Sequence, residues 1–169
     1  MRRLAVMILT SAVLWALVAQ VNHTLSPLHA TLFVGGLFIA YAALCLPLKV
    51  GLLASACAGL ILDAAEPVPT GTFLALFSGA HAVVYNIRGR IPRDDTTAQL
   101  LVALFTNLGL FLTLCFIQIG REPLLAGNWP RLFWDLALSQ VFVAVISPWY
   151  IAFQEKSLIL AGEDPDHIF

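Results

Sequence analysis

The feature that most constrains this chain is a series of apolar runs, each close to the length of a membrane crossing, recurring along the whole sequence. A helix rising 1.5 Å per residue needs about 20 mostly apolar residues to cross a hydrocarbon layer ~30 Å thick. Residues 4–21, 28–46, 50–65, 72–87, 98–119 and 132–153 meet or approach that requirement, and within them only Asp63 and Asp135 carry charge. A mean hydropathy of +0.88 is far above what a soluble core needs. The expected fold class is an all-α integral membrane protein: six transmembrane helices in one domain over residues 1–169, ending in a short polar tail over 154–169.

The breaks between runs, at residues 22–27, 47–49, 66–70, 88–95 and 120–131, each contain proline, which lacks a backbone donor and fits outside a spanning helix. Lysine and arginine set the orientation, since cytoplasmic loops near a membrane retain positive charge. With both termini cytoplasmic, Arg2, Arg3, Lys49, Arg88, Arg90, Arg93 and Lys156 fall inside, and only Arg121 and Arg131 outside. Trp129 and Trp134 mark the outer boundary of the sixth run, and Trp149 and Tyr150 its inner end. The charged start Met1-Arg2-Arg3 before an apolar run is similar to a secretory signal, but Trp15 and Leu17 are bulky where a cleavage site needs small residues. An uncleaved first span is therefore expected.

Several function classes fall away. A net charge of -1 offers no basic excess for nucleic acid. Cys45, Cys57 and Cys115 are odd in number, lack metal-ligand spacing and lie in apolar runs, so they read as packing residues, with no cofactor or metal expected. His81 reads as a neutral imidazole donating to a backbone carbonyl in the fourth span. Asn107, Gln118 and Gln140 read as single interhelical hydrogen bonds. His23, His29 and His167 lie at boundaries or in the tail, where Glu163, Asp164 and Asp166 flank Pro165.

The stretch GLILDAAEPVPTG, residues 59–71, forms the turn between the third and fourth spans. Gly51, Ser55, Gly59 and Asp63 recur every four residues, which puts them on one helical stripe suited to close helix approach against another span or a partner helix. Asp63 has two readings: a carboxylate ending a span among headgroups and water, or an interhelical acceptor. Pro67, Pro69 and Gly71 make a tight reversal, with Thr70 or Thr72 to cap the next helix.

Gly59, Asp63, Pro69 and Gly71, in a G-x3-D-x5-P-x-G arrangement at a helix-turn-helix, resemble the rod shape-determining protein MreD family. The following apolar helix and its arginine-containing loop, Arg88-Gly89-Arg90-Ile91-Pro92-Arg93, are also similar, although Ala80-His81 departs from the expected alanine followed by tyrosine. The resemblance implies a non-enzymatic scaffold of the bacterial inner membrane that binds the single-span protein MreC. Through that contact it would help couple MreB filaments to peptidoglycan synthesis during cell elongation. It also implies likeness to the substrate-binding S components of energy-coupling-factor vitamin transporters. Read from charge alone, Arg88, Arg90 and Arg93 either set the topology or contact a cytoplasmic partner or anionic lipid. Two alternatives remain. One is an S component itself, for which Ala12 and Ala16 supply an A-x3-A pattern. The other is an intramembrane aspartic hydrolase using Asp63 and Asp135.

Overall fold

The computed structural model of the protein describes residues 2–92, 95–121 and 129–162. Its helices are α1 (Arg2–Leu25), α2 (Gly35–Cys45), α3 (Leu48–Ala65), α4 (Thr72–Ile87), α5 (Thr96–Arg121) and α6 (Trp129–Leu160). Single 3-10 turns follow α1 at Ser26–Leu28 and α4 at Arg88–Arg90. No strand occurs among the described residues. Among the described residues, four helices are long and apolar enough to cross a membrane: α1 with its following turn, α3, α5 and α6. The remaining two are shorter, α2 with 11 residues and α4 with 16.

The short helix α2 forms the centre. Every residue from Gly35 to Leu44 is buried, and α3, α4, α5 and α6 all pack on it. A helix apolar on all sides is one enclosed by other helices. Its approach to α5 is close because Gly36 has no side chain: a Cβ there would meet the carbonyl oxygen of Ala103 and lie 2.7 Å from the Asn107 nitrogen. The α3–α4 hairpin closes one side, and α1 lies against α3 and α6. One end of the bundle carries Asp63 and the other Arg88. Outward-facing Leu9, Leu17, Phe105, Phe116, Val141 and Trp149 are exposed, an apolar belt suited to lipid rather than water.

The third and fourth apolar runs, 50–65 and 72–87, coincide with the helices α3 and α4. The second does not. Residues 28–46 were expected to form one helix, yet residues 30–34 are non-helical and α2 begins only at Gly35. Burial alternates along this stretch, with Ala30, Leu32 and Val34 buried and Thr31 exposed, as in a strand. The expected break at residue 22 is also displaced. Helix α1 continues to Leu25, because Asn22 turns inward and bonds the 30–34 stretch instead of solvent.

The tail expected from residue 154 starts later, since α6 runs to Leu160, burying Gln154 and packing Leu158 with Met7, Ala54 and Ile151. Tyr150, expected to mark a membrane boundary, is likewise buried, its hydroxyl accepting from the Gln154 amide at 3.0 Å. Glu163, Asp164, Asp166 and His167 lie outside the described residues.

Gly36 and Gly79 give paired expectations. Gly36→Ala drives a methyl into the α5 backbone and lowers stability by roughly 1–3 kcal/mol. Gly79→Ala faces open space, and is neutral or stabilising by up to about 1 kcal/mol, because helical glycine is costly. Thermal unfolding of the detergent-solubilised variants measures both.

Candidate functional site

The third-span stripe faces inward against α4 and α2. A Cβ at Gly51 would lie 2.5 Å from the Ala42 carbonyl oxygen and 2.6 Å from His81 Cε1, so this glycine makes room for the imidazole. One turn on, Ser55 Oγ pairs with His81 Nδ1 at 2.9 Å. His81 thus meets a hydroxyl of α3 where a backbone carbonyl was expected, because the stripe offers that side chain at the same depth. A Cβ at Gly59 would lie 2.7 Å from the Phe73 carbonyl oxygen and 2.8 Å from Leu74 Cα. The first turn of α4 therefore presses directly on the α3 backbone.

Asp63, the last member of the stripe, is an acceptor for that same turn. Its Oδ1 accepts from the Phe73 N–H at 2.8 Å, and its Oδ2 from the Gly71 and Leu74 N–H groups at 3.0 and 3.1 Å. These are donors that a helix start leaves without intrahelical partners, and a carboxylate there also meets the positive end of the helix dipole. The cap comes from α3, not from Thr70 or Thr72; the Thr72 hydroxyl instead donates to the Pro69 carbonyl at 2.7 Å. Gly71 takes φ 94, a left-handed conformation that glycine adopts without steric cost. The four motif residues thus form one unit: Gly59 admits the helix start, Asp63 caps it, and Pro69 and Gly71 shape the turn.

A second set of side chains serves residues 30–36 in the same way. The Thr31 N–H and hydroxyl donate to the two Asp135 carboxylate oxygens at 3.0 and 3.1 Å. The Leu32 N–H donates to Asn22 Oδ1 at 2.7 Å, and Asn22 Nδ2 returns a bond to the Leu32 carbonyl at 3.0 Å. Ser139 Oγ takes the Phe33 N–H at 3.0 Å, and Asn107 Oδ1 the Gly36 N–H at 3.1 Å. Asn22 and Ser139 were not anticipated as site residues. The available signal was the i, i+4 spacing of Asp135 and Ser139 along an apolar helix, the same pattern that singled out the third span.

Between this stretch and the ends of α1, α3, α5 and α6 lies a cavity of about 380 Å3 at the Asp63 end. Its inner wall includes Trp15, Phe33, Phe73 and Phe111, and Glu66, Gln118 and Arg131 stand on its lining as exposed residues. Phe33 lies against Phe73 and Phe111, with ring centroids 6.3 and 6.2 Å away. Gln118 therefore lines a cavity where an interhelical bond was expected. Gln140 makes no such bond either, its amide having no partner among the described residues.

At the other end, Arg88 turns inward. It donates to the Leu46 carbonyl at the end of α2 at 2.8 Å and to the Tyr85 hydroxyl at 3.0 Å, its guanidinium carbon 3.7 Å from the centre of the Tyr85 ring. A cation there satisfies a helix C-terminus. Arg90 is exposed, and Arg93 lies outside the described residues. The two aspartates are each committed to backbone donors of different segments, Asp63 to α4 and Asp135 to Thr31. No group of three or more potential metal ligands occurs among the described residues.

Asp63→Ala leaves three donors uncapped and is expected to cost about 2–4 kcal/mol: one hydrogen bond to a charged group contributes roughly 1.5–3 kcal/mol net, and water at this exposed turn recovers part of the loss of three. Asp63→Asn keeps one acceptor oxygen and loses less. Thermal unfolding of the reconstituted variants orders the two. No family model, curated protein or solved structure matches the chain.

Proposed function

We propose that the chain is an MreD-type scaffold of the bacterial inner membrane, crossing six times with both termini cytoplasmic. On this reading it binds the single-span MreC and helps couple MreB filaments to peptidoglycan synthesis. The observation that carries the reading is that Gly59, Asp63, Pro69 and Gly71 act together on a single helix start. A spacing resemblance becomes more telling when its residues share one physical task.

Two further observations support six crossings. Residues 30–34 at a strand rise of ~3.3 Å and the 11 residues of α2 at 1.5 Å add to about 33 Å, enough for a hydrocarbon layer. Arg2, Arg3, Lys49, Arg88, Arg90 and Lys156 gather at the Arg88 end, whereas Arg131 stands at the other, the asymmetry expected of a cytoplasmic Arg88 end. Exposed Arg90 is then the described residue of the basic loop best placed to meet a cytoplasmic partner or anionic lipid.

One observation favours the second reading, a transporter S component: the cavity at the Asp63 end brings polar residues of several helices to one lining. Depletion in the parent bacterium separates the two. The scaffold reading expects cell rounding and copurification of a single-span protein in mild detergent. Normal shape with loss of uptake of one vitamin contradicts it and favours the transporter. Arg90→Glu is expected to weaken a cytoplasmic contact while leaving detergent extraction and thermal stability unchanged.

A further inference from the structure

We infer that the cavity at the Asp63 end binds an anionic amphiphile, taking its apolar chain among the aromatic side chains and holding a carboxylate or phosphate head at Arg131. Its volume of about 380 Å3 falls within the roughly 300–1,000 Å3 typical of small-molecule sites. Trp15, Phe33, Phe73 and Phe111 reach its lining from α1, residues 30–34, α4 and α5, so the wall is assembled from distant parts of the sequence.

Asn22, Thr31 and Asp135 also stand on the lining, and their polar atoms are already engaged. Asn22 is held by Leu32, and Asp135 by Thr31. A water deep in the cavity needs two to four polar partners, and these committed groups offer it little. An apolar chain suits the space better. Arg131 is differently placed: its side chain is 54% exposed and reaches the Asp135 carboxylate only at 4.0 Å, longer than a hydrogen bond. Its guanidinium donors therefore remain available, in the planar geometry that matches a carboxylate or phosphate. Gln118 adds an exposed amide to the same lining, and Glu66 an exposed carboxylate. Glu66 and Asp135 set two carboxylates against the one guanidinium on this lining and so disfavour a head of high negative charge; the head carries a single charge or pairs its anion with an amine. The inference rests on the cavity alone and is independent of the scaffold reading, since partner copurification and ligand binding are separate measurements.

The test uses the full chain in phosphatidylcholine nanodiscs with two photoreactive probes. Diazirine-bearing palmitate is mixed into the bilayer, and diazirine-bearing octanoate is added in water. After irradiation, peptide mass spectrometry is expected to place adducts on Trp15, Phe33, Phe111 or Cys115, all on the cavity lining. Adducts from palmitate alone assign a membrane source, and adducts from octanoate a soluble one; either supports the site. Unlabelled palmitate competes and hexadecanol, which lacks the anionic head, does not. Arg131→Gln lowers labelling about tenfold, and Ala19→Trp, a bulky ring placed at an exposed lining position, removes it. The competition arm uses the unaltered chain and so needs no variant to fold. Adducts confined to outward-facing Leu17, Phe105 and Phe116, or equal competition by hexadecanol, would overturn the inference.

Discussion

Every backbone N–H that leaves a helix within an apolar solvent must find an acceptor, because no water is at hand and each orphan donor costs several kcal/mol. This chain leaves helical geometry inside its bundle at residues 30–34, and reverses again before α4. Both places are served by polar side chains of neighbouring helices. Asp63 takes three donors, and Asn22, Asp135, Ser139 and Asn107 take donors along residues 31–36. Polar groups that look isolated in an apolar sequence are thus components of backbone structure.

Once those segments are held, close packing follows. The small-residue stripe of α3 accepts α4, and Gly36 accepts α5, so helices associate through direct backbone contact where hydrophobic attraction is weak. Arg88 closes the far end by binding the Leu46 carbonyl, just past the last turn of α2. The same arrangement positions the cavity. The stretch that replaces a helix with an irregular wall brings Thr31, Leu32 and Phe33 to the lining, with Asp135 as both anchor and neighbour of Arg131.

Helices α3 and α4 were legible because Pro47, Pro67, Pro69 and Gly71 punctuate an otherwise apolar text with residues of known backbone preference. The run over 28–46 has no such mark at residues 30–34, and a uniformly apolar stretch does not distinguish strand from helix by periodicity. Asp63 stood out as a carboxylate on a small-residue stripe, but its partners lie eight to eleven residues ahead across a turn. Asp135 and Ser139 serve donors 104 and 106 residues away. Pairing at that separation belongs to the packed bundle and leaves no local trace in the sequence.

The most direct measurement of side-chain-held backbone is amide hydrogen exchange, resolved by residue, on the full chain in nanodiscs. Slow exchange is expected at Thr31, Leu32 and Phe33 despite their lying outside any helix, and at Phe73 and Leu74 in the first turn of α4. Asp135→Asn should speed exchange at Thr31 while leaving Phe73 unchanged, and Asp63→Asn should do the reverse. Exchange at these amides as fast as at exposed Thr96, the first residue of α5, would contradict this.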